Sequence, residues 1–168
     1  MFGILLGKKG TFMDKKQFVQ LCTKVFKKYG FTRRGCNYYK DLDNDILVIF
    51  GLQKSSFGDY YYVEFGFCFK SINRYMPFPA YHEANLRCGR LIVNETKTIE
   101  YFTLNEDVFA NALSLKIHEL IENGQKGKQT LVSAYLSKTQ GNAKIIGEAT
   151  LNYLGIERGN LTVWPDLE

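Results

Sequence analysis

Residues 45–70 read DILVIFGLQKSSFGDYYYVEFGFCFK. Two patterned segments meet there at a polar connection. The first, 45–52, is apolar on both faces, as expected of a central strand covered on both sides. The second, 60–70, alternates. Tyr61, Val63, Phe65, Phe67 and Phe69 point one way, and Tyr60, Tyr62, Glu64, Gly66, Cys68 and Lys70 the other. Joined by a connection of hairpin length, the two predict neighbouring antiparallel strands.

Towards the N-terminus, 36–42 (CNYYKDL) is expected to be a further strand, with Asp43-Asn44 as a tight turn because both residues tolerate positive φ. Before it, Phe18, Leu21, Cys22, Val25, Phe26 and Tyr29 keep the spacing of one helical stripe over 14–29. Asp14 and Gln17 match a capping box, Met13 and Phe18 a hydrophobic staple, and Gly30 a left-handed end. Towards the C-terminus, 86–93 and 98–104 are expected strands. Between them and the hairpin, 71–85 carries Pro77 and Pro79, neither of which can donate to a ladder, so it is expected to cross over irregularly. A helix is expected over 106–123, stopping at Gly124. A shorter pair is expected at 129–138 and 143–154, joined near Gly141, and the tail 159–168 is weakly specified.

One helix, a run of strands, then helices is the order of an α+β fold: an N-terminal helix, an antiparallel sheet of about five strands, and C-terminal helices packed on it. The chain has 168 residues, 45% of them apolar. A chain of this size buries about 70% of its unfolded surface without metal or disulfide staples. The expected organisation is a single domain over 14–168, with 1–13 as an N-terminal extension. Helix signals begin at Met13, and Lys8-Lys9-Gly10 can be encoded by a stretch resembling a ribosome-binding site, so the natural start is expected at Met13.

No run approaches the ~20 apolar residues of a membrane span, and the first residues lack the pattern of a secretory signal. A cytoplasmic protein is expected. The four cysteines (Cys22, Cys36, Cys68 and Cys88) form no C-x-x-C pair and no zinc spacing, which predicts reduced, mostly buried thiols. H-E-x-x-H, G-x-S-x-G and the phosphate-binding glycine fingerprints are absent from the sequence. The two histidines are His118, one turn from Glu122, and His82, beside Glu83 in the proline-bearing crossover. No catalytic residue, metal site or cofactor is assigned. The remaining route to an enzyme is a site assembled in space, joining Lys54 to His82 and Glu83.

Charge is more informative. Residues 1–40 carry ten Lys or Arg and one acid, Asp14, so they hold +9 in a chain whose net charge is +5. Lys15, Lys16, Lys24, Lys27 and Lys28 fall on the helix side opposite its apolar stripe. They make either a solvated face or a basic surface for an anionic partner, extended by Arg33 and Arg34. Tyr38, Tyr39 and Tyr60–Tyr62 are candidates to stack bases on such a surface. In the 53–59 connection, a turn accounts for Phe57-Gly58-Asp59. Gln53, Lys54, Ser55 and Ser56 exceed what a turn needs, and Lys54 with two hydroxyls can hold an anion.

Lys27-Lys28-Tyr29-Gly30-Phe31, Arg33-Arg34-Gly35, Tyr38-Tyr39-Lys40, Leu52-Gln53-Lys54-Ser55-Ser56 and Gly58-Asp59-Tyr60-Tyr61-Tyr62-Val63 resemble the bacterial family known as domain of unknown function 4304. The resemblance covers 14–70, extends more loosely to Gly141-Asn142-Ala143-Lys144, and leaves the proline crossover unaligned. That family has no established activity, so it implies no catalytic residues. It implies a non-enzymatic bacterial interaction domain with a protein partner, an immunity-type protein being the specific expectation. Nucleic-acid or phosphate-ligand binding is the alternative. The binding candidates are Lys27, Lys28, Arg33, Arg34, Gln53, Lys54, Ser55, Ser56 and Asp59.

Overall fold

A computed structural model describes residues 12–136 and 146–157. Helix α1 (Lys15–Lys28) begins where its cap signals lie. Asp14 Oδ1 accepts from Gln17 N at 2.7 Å, and Gln17 Oε1 accepts from Asp14 N at 2.8 Å. At the other end, Gly30 takes φ +82°. Its N–H donates to Lys27 O, and the N–H of Phe31 donates to Phe26 O, which satisfies two orphan carbonyls. The rings of Phe26 and Phe31 meet across this turn, centroids 5.3 Å apart.

Five strands follow among the described residues: β1 (Thr32–Arg34), β2 (Asn37–Asp41), β3 (Ile46–Lys54), β4 (Tyr61–Phe69) and β5 (Leu86–Arg90). Sheet order equals chain order, and every neighbouring pair is antiparallel. Helices α1 and α2 (Glu106–Lys126) pack on one face of this meander. Phe18, Cys22 and Phe26 of α1 and Phe109, Leu113, Ile117 and Leu120 of α2 share a core with Tyr38, Val48, Phe50, Val63, Phe65, Phe67 and Phe69. Full burial of each such aromatic contributes about 1.5–3 kcal/mol. The second face is covered by the crossover 71–85. Tyr39, Leu47, Ile49 and Cys68 form a separate small core there with Tyr81. The two-sided burial expected of β3 is therefore present.

The α+β fold with an N-terminal helix, a five-stranded antiparallel sheet and C-terminal helices is as expected, but three elements differ. Residues 98–104 are not a strand. Ile99 makes one isolated bridge with Tyr61, and Tyr101–Thr103 is a 3-10 turn. The fifth strand is instead β1, whose Thr-Arg-Arg sequence has no apolar pattern of its own and is held extended by pairing with β2. Helix α2 does not stop at Gly124 but runs to Lys126. A methyl at Gly124 would overlap Leu42 and press on Phe67, so the glycine serves close helix–sheet approach. Past α2 lie α3 (Lys128–Leu131), a π-type turn (Val132–Leu136) and α4 (Glu148–Leu154). The expected residues 1–11, the junction near Gly141 with its flanking helix ends, and the tail 159–168 lie outside the described residues.

Between β4 and β5 the register shifts at Phe65/Gly66. A side chain at Gly66 would overlap the backbone carbonyl of Leu86, so this pairing requires glycine. Gly66→Ala is expected to destabilise the fold by about 3 kcal/mol, read as a lowered urea midpoint; an unchanged midpoint refutes the close-approach account. A second expectation concerns alkaline pH. Burial pushes the Tyr39 hydroxyl up to about 12, above the roughly 10 of an unfolded tyrosine. The folded state therefore holds this proton more tightly. The resulting stability is complete below the unfolded value and is lost as pH rises through the folded one. Denaturant midpoints should fall above pH of about 10, and less steeply in Tyr39→Phe. Equal slopes in the two proteins would refute it.

Candidate functional site

Arg33 and Arg34 are adjacent on β1 and so point to opposite faces. Arg33 joins the helix side, where its Nη1 donates to Thr23 Oγ1 at 3.4 Å and its guanidinium lies 5.9 Å from the Tyr38 ring centroid. Arg34 joins the crossover side and stacks on Phe78 at 3.7 Å. Lys27 and Lys28 occupy the last turn of α1, where positive charge suits the helix dipole, and Lys40 Nζ lies beside Gly30 at the same end. Lys40 is in register with Val48, and Lys54 lies further along that strand by roughly 20 Å. The structure thus separates Lys27 and Lys28 from the 53–59 connection.

That connection is largely self-contained. Lys54 Nζ donates to Gly58 O at 2.7 Å and Ser55 O at 3.1 Å, and it lies 3.7 Å from the carboxylate of Asp59. Ser55 is buried and its Oγ accepts from Phe57 N at 3.0 Å. Ser56 and Asp59 are exposed. Lysine and first serine act as turn-forming groups, bonding the loop's own backbone. Gln53 faces elsewhere, towards Arg90. The tyrosines expected to stack bases are engaged as well. Tyr38, Tyr39 and Tyr61 are buried, Tyr62 is covered by the Arg90 guanidinium at 3.8 Å, and Tyr60 packs edge-on against Tyr62. His118 meets the Tyr29 ring edge-on, and Glu122 pairs with Lys126. Among the described residues no cluster of metal-ligating side chains occurs, and no helix is long and apolar enough to cross a membrane.

Three exposed large apolar side chains, Tyr75, Met76 and Phe78, gather on the crossover. Its base is closed by a reciprocal amide pair, Asn73 Nδ2 to Asn85 Oδ1 at 2.6 Å and Asn85 Nδ2 to Asn73 Oδ1 at 3.3 Å, with Phe69 N also donating to Asn85 Oδ1 at 2.7 Å. Two phenols pin it to the sheet. Tyr39 OH donates to Pro79 O at 2.6 Å, and Tyr81 OH reaches Phe65 O at 3.2 Å beside the β4–β5 register shift. At the tip between these anchors Tyr75 is fully exposed and Met76 45%, whereas Phe78, 37% exposed, lies between the Arg34 guanidinium and the Tyr39 ring. Beside the tip is a cavity of about 370 Å³, floored by Tyr39 and Leu47, walled by Pro77 and Phe78, and rimmed by Lys70 and Arg74.

On the other side of the crossover lies a second cavity, about 510 Å³, over the part of the sheet that the crossover leaves uncovered. Gln53, Glu64, Arg87 and Arg90 line it from the strands, His82 from the crossover and Cys36 from the β1–β2 turn. Of the expected residues, His82 and Gln53 come together here, whereas Lys54 and Glu83 do not line this space. Neither cavity was foreseen. For the first the sequence signal was the unusual Tyr-Met-Pro-Phe-Pro composition of the crossover, and for the second the placement of His82 and the surplus Gln53.

No curated protein and no solved structure matches this chain. A family model described as a domain of unknown function (DUF4304) matches residues 22–139, which takes in the crossover and α2 as well as the first strands. With well over half of its length matched, the chain belongs to that family.

Proposed function

We propose that this chain is a non-enzymatic interaction module whose partner is a protein, gripped by the tip of the crossover. The observation that carries the reading is the exposure of Tyr75, Met76 and Phe78 on a loop pinned at its base and flanks. Tyr, Phe, Met and Arg are the residue types enriched in protein interfaces. Each large apolar side chain covered on binding contributes about 1.5–3 kcal/mol, and prior anchoring of the loop lowers the ordering cost. The neighbouring cavity, apolar at its floor and rimmed by Arg74, with Lys70 paired to Asp41, suits an apolar anchor carried beside a single acidic group.

Charge placement favours a protein over a nucleic acid. A strand of phosphates needs a continuous basic track and open ring faces. Here Arg33 and Arg34 face opposite ways, Lys54 is tied into its own loop, and four of the tyrosine rings are covered. We extend the reading to an immunity-type protein acting in a bacterial cytoplasm. A net charge of +5 fits an acidic counterpart better than a nuclease, for which a decoy of nucleic acid would be acidic itself.

A photo-crosslinking amino acid in place of Tyr75, expressed in the native host, is expected to trap one discrete protease-sensitive adduct. The same group in place of Asn111, on the helix side, should trap none. Phe78→Ala with Arg34→Ala is expected to lower the adduct yield by about tenfold, corresponding to loss of one anchor. A nuclease-sensitive adduct, or equal trapping at both positions, would refute the proposal.

A further inference from the structure

The second cavity carries an inference that does not rest on the protein partner. Strand alternation places Gln53, Tyr62 and Glu64 on the crossover side of the sheet, with Gln53 opposite Tyr62 and Glu64 opposite Arg90. Arg90 is fixed from three directions. Its Nε donates to Glu64 Oε1 at 3.2 Å, its Nη2 donates to Gln53 Oε1 at 3.4 Å, and its plane lies over the Tyr62 ring at 3.8 Å. Long side chains normally give up rotamer freedom when they bind; this one has already given it up. Nη1 keeps both of its N–H donors, and Nη2 one, without a protein partner among the described residues. The guanidinium is therefore held by its inner edge while its outer edge remains open.

The remaining wall supplies charge and hydrogen bonding of matching sense. Arg87 lines the same space, and Glu64 is the one acidic side chain there, already engaged with Arg90. The lining thus has an excess of one positive charge before His82 is counted. Asn37 Oδ1 is occupied by Tyr81 N at 3.2 Å, and its Nδ2 has only a weak 3.8 Å contact with Cys36 Sγ, which leaves an amide donor for a ligand. A volume of about 510 Å³ lies within the range of small-molecule sites. Planar guanidinium forks recognise planar or tetrahedral oxyanions through paired, charge-assisted hydrogen bonds.

We infer that this cavity binds a small oxyanion-bearing molecule, a carboxylate or a phosphate monoester, through the outer edge of Arg90. Glu64 and Gln53 are the positioning residues that aim it, and Asn37 completes the contact.

The test is a titration of the whole chain, labelled at the arginine side chains, with inorganic phosphate and separately with succinate, at near-physiological salt of about 0.15 M. The Arg90 Nε resonance is expected to shift saturably with at least one probe, at a Kd of about 1 mM or tighter. Arg33 serves as the internal control and should not saturate. Arg90→Lys, which keeps the charge but removes the fork, is expected to weaken the saturable binding by about tenfold or more. Gln53→Ala is expected to weaken it while leaving the amide spectrum of the sheet in place. Saturation by phosphate but not succinate assigns the phosphate class, and the reverse assigns the carboxylate class. Absence of saturation with both, or an unchanged affinity in Arg90→Lys, would overturn the inference. Neither result bears on trapping at Tyr75.

Discussion

The hydroxyls of Tyr39 and Tyr81 hold the crossover against the second face of the sheet, and both cavities exist because they do. Each phenol sits in a small core with Leu47, Ile49 and Cys68. A buried hydroxyl without a partner would cost about 1–3 kcal/mol. Both find backbone carbonyls: Tyr39 on the crossover itself, Tyr81 on Phe65 and Gly89 next to the shifted register of β4 and β5. The second contact uses acceptors at an irregularity in the ladder, so the defect and the cover support one another. Remove the crossover and Leu47 and Ile49 face water; keep it, and the uncovered remainder of that face becomes a recess with Arg90 at its edge.

Local electrostatics follow from the same geometry. The N-terminal quarter concentrates positive charge in sequence, but folding disperses it. Lys27 and Lys28 sit in the last turn of α1, while Arg33 and Arg34 stack on opposite sides of β1. Beside the crossover, two small positively biased recesses lie one on each side. They differ in character: the one beside Phe78 has an apolar floor, and the one beside Arg90 has polar groups aimed by a salt bridge.

Most of the layer order was legible in the sequence because its signals are local. The cap and end of α1 lie within the helix's own turns, and the two-sided coverage of β3 is written in an unbroken apolar run. Elements decided by tertiary contact were not legible. Thr32-Arg33-Arg34 is a strand only because β2 lies beside it. Ile99 and Tyr101 alternate as a strand would, yet one bridge to Tyr61 satisfies that stretch. Gly124 looked like a helix stop, although its missing side chain makes room for Leu42. The candidate sites were harder still. Gln53 was recognisable as surplus to a turn, but its partner Arg90 is distant in sequence, and their meeting depends on a register set across three strands, beyond a shift at Gly66.

A meander whose spatial order repeats its chain order has a kinetic corollary. Each strand meets its neighbour through a connection closed within the adjoining stretch of chain, so the loop-closure entropy of every pairing step is modest. The helix layer is the opposite case. Phe18 and Phe109 touch at 5.3 Å although the entire sheet separates them along the chain. That contact raises the mean sequence separation of an otherwise local topology, and such separations slow folding. Until α2 has been made, the nascent chain also lacks the helix whose Phe109, Leu113, Ile117 and Leu120 share a core with Phe65 and Phe67, so the phenylalanine-rich face of the hairpins has only part of its cover.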